Sequence, residues 1–422
     1  MKNRKRILAL CVAMVMILGL LAACGNGNET AATPTPAAVE TPANGETNGE
    51  VNGDADDREP AEVDEVVIGV LAPLVGPVAQ FGVAVQHGVQ LYVDQFNAQG
   101  GLQIRLEFFD EEGQTALGVA GYHDLVDRGV DAIIGAVISG VTMAVVPLAY
   151  EDNMPMITAT STHANVTVDA DTGQVFTNMF RSCFIDPFQG EKMAEFAAEV
   201  VGAETVAILY SNEIDYSIGL MEAFHARALA LGMEVVAVEI FPNEAIDFRS
   251  QLTNIAAVDP DVLFVPAYYR HIALIGPQSM DVGLDTVMLG ADGWATILDF
   301  MPDPSPIEGS FFMTGFSPDV EEPMVQQFIA DFSAATGNAP NMFAAQAYDA
   351  AMILISAIEA ALADGADPAD VSGFRQAVID AMAATDLTGV TGHVTFDQYN
   401  NPQKTAVILT VQDGEERFWG YF

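Results

Sequence analysis

Basic residues are scarce in this sequence: 15 Lys and Arg stand against 58 Asp and Glu, for a formal charge of −43. A surface so short of cations repels a phosphate backbone, so nucleic-acid binding is excluded. Cysteine is scarcer still. Three thiols, Cys11, Cys24 and Cys183, provide neither a disulfide framework nor a Cys-rich zinc site. The six His are scattered with no HExxH pair, so no metal is expected, and no cofactor motif is present. No Gly-x-Ser-x-Gly elbow or GxxxxGK[ST] loop occurs, which leaves no hydrolase or nucleotide signature. Apolar residues, in contrast, make up half of the 422, enough for two or three packed cores.

The N-terminus opens with Lys2-Asn3-Arg4-Lys5-Arg6, followed by an uncharged apolar run from Ile7 to Ala23. This pattern predicts a secretory signal peptide over residues 1–23. A membrane-spanning anchor is the alternative, but the run is slightly short of the about 20 residues that a span needs. It closes on Leu21-Ala22-Ala23-Cys24, which resembles a bacterial lipobox. That resemblance implies cleavage before Cys24 and a diacylglycerol on its sulfur, and two acyl chains give a stable anchor. Residues 24–63 are rich in Thr, Pro, Asn, Gly and Glu and read as a disordered tether. The expected location is therefore extracytoplasmic and lipid-anchored to the cell membrane. Cys183 is then left as an unpaired, buried thiol.

From residue 66 strands and helices alternate. Strands are predicted at 66–71, 102–109, 132–134 and 155–158, with helices at 81–99, 116–128 and 140–151 between them. After a looser stretch at 163–185 the rhythm restarts. Helices at 187–201, 216–231, 247–257 and 269–283 alternate with strands at 206–210, 233–241, 261–265 and 286–290. A strand at 309–314, helices at 321–336, 343–364 and 371–383, and tail strands at 392–396 and 406–411 complete the pattern. The expected fold class is α/β, with two doubly wound parallel-sheet lobes.

Ligands of such sheets bind beyond the carboxyl ends of the strands. Two loops there are rich in hydroxyls: Gly135-Ala136-Val137-Ile138-Ser139-Gly140 and Thr158-Ala159-Thr160-Ser161-Thr162-His163. Hydroxyls and free N–H groups at a helix start can cradle a carboxylate. Either loop alone would read as ordinary capping, but two at equivalent strand ends favour a shared anion site. The other strand ends carry Asn212, Glu213, Asp215 and Tyr216, then Tyr268-Tyr269, then Asp292-Gly293-Trp294. An acid in that place can accept from an ammonium, and aromatics can cover an apolar group. Glu111-Glu112 and Glu321-Glu322 read as solvated surface, and Asp186-Pro187 as loop punctuation.

Taken in order, these stretches resemble the leucine/isoleucine/valine-binding proteins, the substrate-binding components of branched-chain amino-acid ABC transporters. The similarity rests on Ile68-Gly69-Val70-Leu71-Ala72-Pro73-Leu74-Val75-Gly76-Pro77, Phe96-Asn97-Ala98-Gln99-Gly100-Gly101, Phe180-Arg181, Ala347-Tyr348-Asp349-Ala350 and Gly389-Val390-Thr391-Gly392. It implies a periplasmic-binding-protein type I fold with a three-crossover hinge. Lobe one would be 64–181 plus 313–388, and lobe two 182–312 plus 389–422. By position, Ser139, Thr160 and Thr162 would hold a ligand carboxylate, and Asp292 would neutralise its ammonium. Tyr216 and either Tyr268 or Tyr269 would close over the ligand, with Phe81, Trp294 and Phe343 lining its side-chain pocket. The resemblance further implies ABC permease subunits as partners, a monomer, and no catalytic residue or cofactor. The alternatives are a ligand-sensing lipoprotein of the same fold, a receptor for another small amide or carboxylic acid, and a secreted hydrolase using Ser139 and His163.

Overall fold

The computed structural model describes residues 63–422. The expected leader, Cys24 and the tether as far as residue 62 lie outside the described residues.

The β-branched run Glu65–Ala72 forms β1, the centre of the first sheet. It is followed by α1 (Ala79–Asn97), β2 (Gln103–Asp110), α2 (Thr115–Asp127), β3 (Ala132–Gly135), α3 (Ser139–Glu151), β4 (Met156–Thr158) and β5 (Met179–Arg181). The strand order is β2-β1-β3-β4-β5, parallel throughout. Strands buried on both faces explain the near-continuous apolar runs of β1, β3 and β4. The three-residue β5 lies inside the stretch expected to be loose; it pairs with β4 and is wholly buried.

The second sheet is built from α4 (Asp186–Phe196), β6 (Thr205–Ser211), α5 (Asp215–Ala230), β7 (Glu234–Phe241), α6 (Arg249–Ala256), β8 (Val262–Phe264), α7 (Tyr269–Asp281), β9 (Val287–Gly290) and β10 (Phe311–Thr314). Then come α8 (Pro323–Thr336), α9 (Met342–Ala363), α10 (Val371–Ala383), the hairpin β11 (Asp386–Gly389) and β12 (Gly392–Thr395), and finally β13 (Val407–Gln412) and β14 (Glu415–Tyr421). The order is β14-β13-β10-β9-β8-β6-β7. β13 and β14 run antiparallel at one edge, a departure from the all-parallel expectation.

The chain crosses between the two sheets after β5, after β10 and before β13. Helix α9 is apolar on nearly every side and long enough to span a membrane, yet it packs against α1 and α10 as a core helix. The hairpin β11–β12 straddles residues 388 and 389 and is fastened to α9, where Asp349 accepts from the Val390 and Thr391 N–H groups at 2.8 and 2.9 Å. Cys183 is unpaired and buried, and burial pushes its thiol up to about 12, so it is not a reactive thiolate. Glu111, read as surface, is instead fully buried after β2, where desolvation raises its carboxyl to about 7. The Gly113 N–H donates to its carboxylate.

Candidate functional site

One cavity opens where the carboxyl ends of the two sheets meet. Phe81, Val137, Ile138, Ser139, Thr160, Tyr216, Tyr268, Asp292, Gly293 and Phe343 surround it.

The first wall comes from the loops after β3 and β4. Ser139 is the first residue of α3, whose N-cap, Ile138, makes no side-chain cap. The first-turn N–H groups are therefore left for another acceptor. The second hydroxyl loop is stitched onto the first: Thr158 Oγ1 donates to Ala136 O at 2.6 Å and Thr160 Oγ1 to Val137 O at 2.7 Å. Buried Arg181 holds the same loop from behind, donating to the Ser161 and His163 carbonyls at 3.0 Å each and to Thr167 Oγ1 at 3.1 Å. Phe81 is set by the turn into α1. Gly82 lets that turn close, since a side chain there would place Cβ 1.9 Å from the Pro73 carbonyl oxygen. Phe81 packs on Phe343 of α9, ring centroids 4.4 Å apart.

The facing wall belongs to the second sheet. Asp292 follows β9 and is 2% exposed. Its Oδ1 accepts from the Tyr216 hydroxyl at 2.8 Å, and the same hydroxyl accepts from the Gly293 N–H at 2.7 Å. Gly293 is required here because a Cβ would lie 2.7 Å from the Tyr216 oxygen. Burial pushes the Asp292 carboxyl up to about 6, against the lowering effect of the Tyr216 and Gln189 hydrogen bonds. Tyr216 stacks on Tyr268, centroids 5.0 Å apart at 17°.

Of the nine ligand-binding residues expected from sequence, seven line this cavity: Phe81, Ser139, Thr160, Tyr216, Tyr268, Asp292 and Phe343. Between the adjacent tyrosines, Tyr268 faces the cavity, while the Tyr269 hydroxyl crosses the cleft to donate to Pro77 O at 2.9 Å. Thr162 is buried without reaching the lining; its Oγ1 has no hydrogen-bond partner. Trp294 lies elsewhere. It is fully buried beneath Gly290, its Nε1 donates to Val265 O at 2.8 Å, and its ring stacks near Phe312 in the lobe core. The turn of 3-10 helix over Asp292–Trp294 sends the carboxylate to the cavity and the indole away from it. Val137, Ile138 and Gly293 were not singled out from sequence. Their only signal is their place beside Ser139 and Asp292.

The hydroxyl and imidazole weighed as a hydrolytic pair are used differently. His163 does not line the cavity, and its Nδ1 accepts from the Asn165 N–H at 3.2 Å. Among the described residues no group of His, Cys, Asp and Glu is arranged to hold a metal.

The model of the periplasmic binding protein family matches residues 65–416. The chain is 31% identical over 301 residues to the Leu/Ile/Val-binding protein BraC3 of Rhizobium johnstonii, covering 70% of this chain and 80% of that one. Its backbone superposes on the leucine-binding protein LivK of Thermotoga maritima with a TM-score of 0.76 and 30% identity, over 85% of this chain and 98% of the other. The isoleucine complex of LivJ from Streptococcus pneumoniae gives 0.74 and 30%, over 84% and 98%. With the cleft, the hinge crossings and these likenesses in hand, the chain belongs to the periplasmic binding protein family, in its Leu/Ile/Val-binding branch of extracytoplasmic solute receptors.

Proposed function

We propose that the protein captures a branched-chain α-amino acid between its lobes and delivers it to an ABC permease. The observation that carries this reading is the opposition of two unlike groups across one small apolar cavity. The uncapped start of α3 with Ser139 faces the buried acid Asp292. A zwitterion fits that polarity in one orientation. Its carboxylate meets the N–H groups and hydroxyls of α3 and the Thr160 loop, and its ammonium meets Asp292. Phe81 and Phe343 offer an aliphatic side chain a dry surface. The names of the relatives support the ligand class, since BraC3 is a Leu/Ile/Val-binding protein and LivJ was seen with isoleucine.

Closure desolvates the ligand, and no bond in it is made or broken. The Tyr269–Pro77 hydrogen bond joins the walls, and the closed surface is what a permease would read. We assign the lipid anchor to Cys24 and expect a monomeric receptor. A Cys24→Ala precursor that still matures and fractionates with membranes would refute that anchor.

A thermal-shift screen of amino acids and small carboxylic acids tests the ligand class, because a ligand that binds only the folded state raises its melting temperature. Leucine, isoleucine and valine should give the largest shifts. Shifts confined to acids without an ammonium, such as benzoate, would overturn the proposal.

A further inference from the structure

A second cavity lies at the hinge, apart from the cleft. It holds about 620 Å³, within the range of about 300–1,000 Å³ usual for small-molecule sites. Its walls come from residues 315–325, which lead from β10 through the second crossing into α8, from the β11–β12 hairpin, and from residues 403–407 of the third crossing. Phe316, Val320, Met324, Val325, Val390 and Val407 give it an apolar surface. None of its residues lines the cleft between the lobes.

A lysine belongs to this wall. Lys404 sits in the third crossing and is partly buried. Its ammonium donates to Thr391 Oγ1, which in turn donates to Asp349 Oδ2. The plain structural role of Lys404 is therefore counter-charge to the buried Asp349. That role leaves much of the ammonium unused. Asp349 already accepts from two backbone N–H groups and the Thr391 hydroxyl, and this hydroxyl stands between the two charges. An ammonium has three N–H bonds to donate. Among the described residues Thr391 Oγ1 is its one acceptor, and no carboxylate is in ion-pair contact with it.

This is unusual in a chain of 58 acids and 15 bases. Lys192, the other lysine of the described residues, pairs with Glu195 at 3.0 Å. Arg181 and Arg375, which make no ion pair among the described residues, donate to backbone carbonyls. Lys404 instead keeps N–H bonds to spare beside an apolar space. Burial lowers its pKa and Asp349 opposes the fall, so a nearby anion would favour the charged form further.

We propose that the hinge cavity is a second ligand site, which takes a small amphipathic carboxylate with its head group on Lys404 and its hydrocarbon body against the apolar lining. Charge and polarity select that class. An amine would meet Lys404 as a like charge. A neutral hydrocarbon would leave the spare N–H bonds unmade, and a compact inorganic anion would forgo the apolar surface. Glu322 is the acid of the lining; it is exposed, so solvent and salt screen it from the head group. The inference does not rest on the amino-acid reading, because the two cavities share no residue.

The test is calorimetric titration of the wild-type protein with octanoate, acetate and octylamine. Octanoate should saturate one site per chain. Acetate lacks the hydrocarbon body and octylamine the matching charge, so each should bind at least tenfold more weakly. Lys404→Gln should weaken octanoate tenfold or more. Met324→Glu should do the same by placing an anion in the lining. Met324 is half exposed in the first turn of α8, where an acid suits the helix dipole, so this variant keeps the test open if Lys404→Gln does not fold. Ser139→Ala, which alters only the cleft, should leave octanoate binding unchanged. Wild type that shows no saturable octanoate binding would overturn the inference. So would octylamine binding as tightly as octanoate. Octanoate affinity within twofold of wild type in either hinge variant, or lost in Ser139→Ala alone, would place the probe outside this cavity and overturn it as well.

Discussion

The wall of the cleft that carries Ser139 and Thr160 is electrically neutral, and most of its hydroxyls are spent on its own loop carbonyls, as with Thr158 on Ala136 and Thr160 on Val137. The opposite wall holds the buried acid Asp292, its pKa raised by desolvation. The first wall is preorganised and internally satisfied, so it fixes geometry at little electrostatic cost. The second stores an unfavourable charge that only a cation relieves. A receptor built this way derives orientation from one lobe and ligand discrimination from the other.

Substitutions can break that contrast one wall at a time. The largest effect is expected where neither wall is touched. Trp294→Ala removes a fully buried indole and its bond to Val265, and should cost about 3–5 kcal/mol of stability. Denaturant melts should show that loss, while the ranking of ligands stays unchanged. Asp292→Asn comes next. Hydrogen bonds to charged groups contribute about 1.5–3 kcal/mol, so affinity for leucine should fall tenfold or more by calorimetry.

The same substitution should act oppositely on the empty protein. A carboxyl raised from 3.8 to about 6 on folding contributes stability that is present below 3.8 and lost as pH rises through 6. Asp292→Asn should therefore melt higher, relative to wild type, at pH 8 than at pH 5. On the neutral wall, Ser139→Ala removes one hydroxyl and leaves the helix N–H groups, for about 1 kcal/mol or roughly fivefold in affinity. The smallest effect belongs to closure. Tyr269→Phe deletes the bond to Pro77 and should weaken every ligand by about threefold without changing their order.

Much of this was legible in the sequence because the fold is periodic and the site sits at strand ends. β1, α1 and β6 announce themselves by apolar spacing, and Ser139, Tyr216 and Asp292 each lie in the loop or helix start that follows a strand. The omissions have local causes. β5 is three residues long, too short for any period, and is a strand only because β4 lies beside it. β14 alternates weakly and is held by β13. Trp294 follows Asp292 closely enough to suggest a shared face, but the tight 3-10 turn separates the two. Asp186 before Pro187 carries the local mark of a helix start, and nothing in the adjacent residues reveals that folding buries it against Gly219 with Thr162 beside it. Glu111 misleads in the same way, since burial is a property of what packs above it.

The central claim is that the neutral wall takes a carboxylate and the acidic wall takes an ammonium. Leucine, 4-methylpentanoate and 3-methylbutylamine present both groups, the carboxylate alone and the amine alone on one aliphatic skeleton. Titrating the wild-type protein with all three by calorimetry tests the claim directly. Leucine should bind, and each analogue should be weaker by about tenfold or more, since each leaves one wall's charged hydrogen bonds unmade. Binding of 4-methylpentanoate as tight as that of leucine would contradict the role given to the acidic wall and, with it, the account of how this cleft selects its ligand.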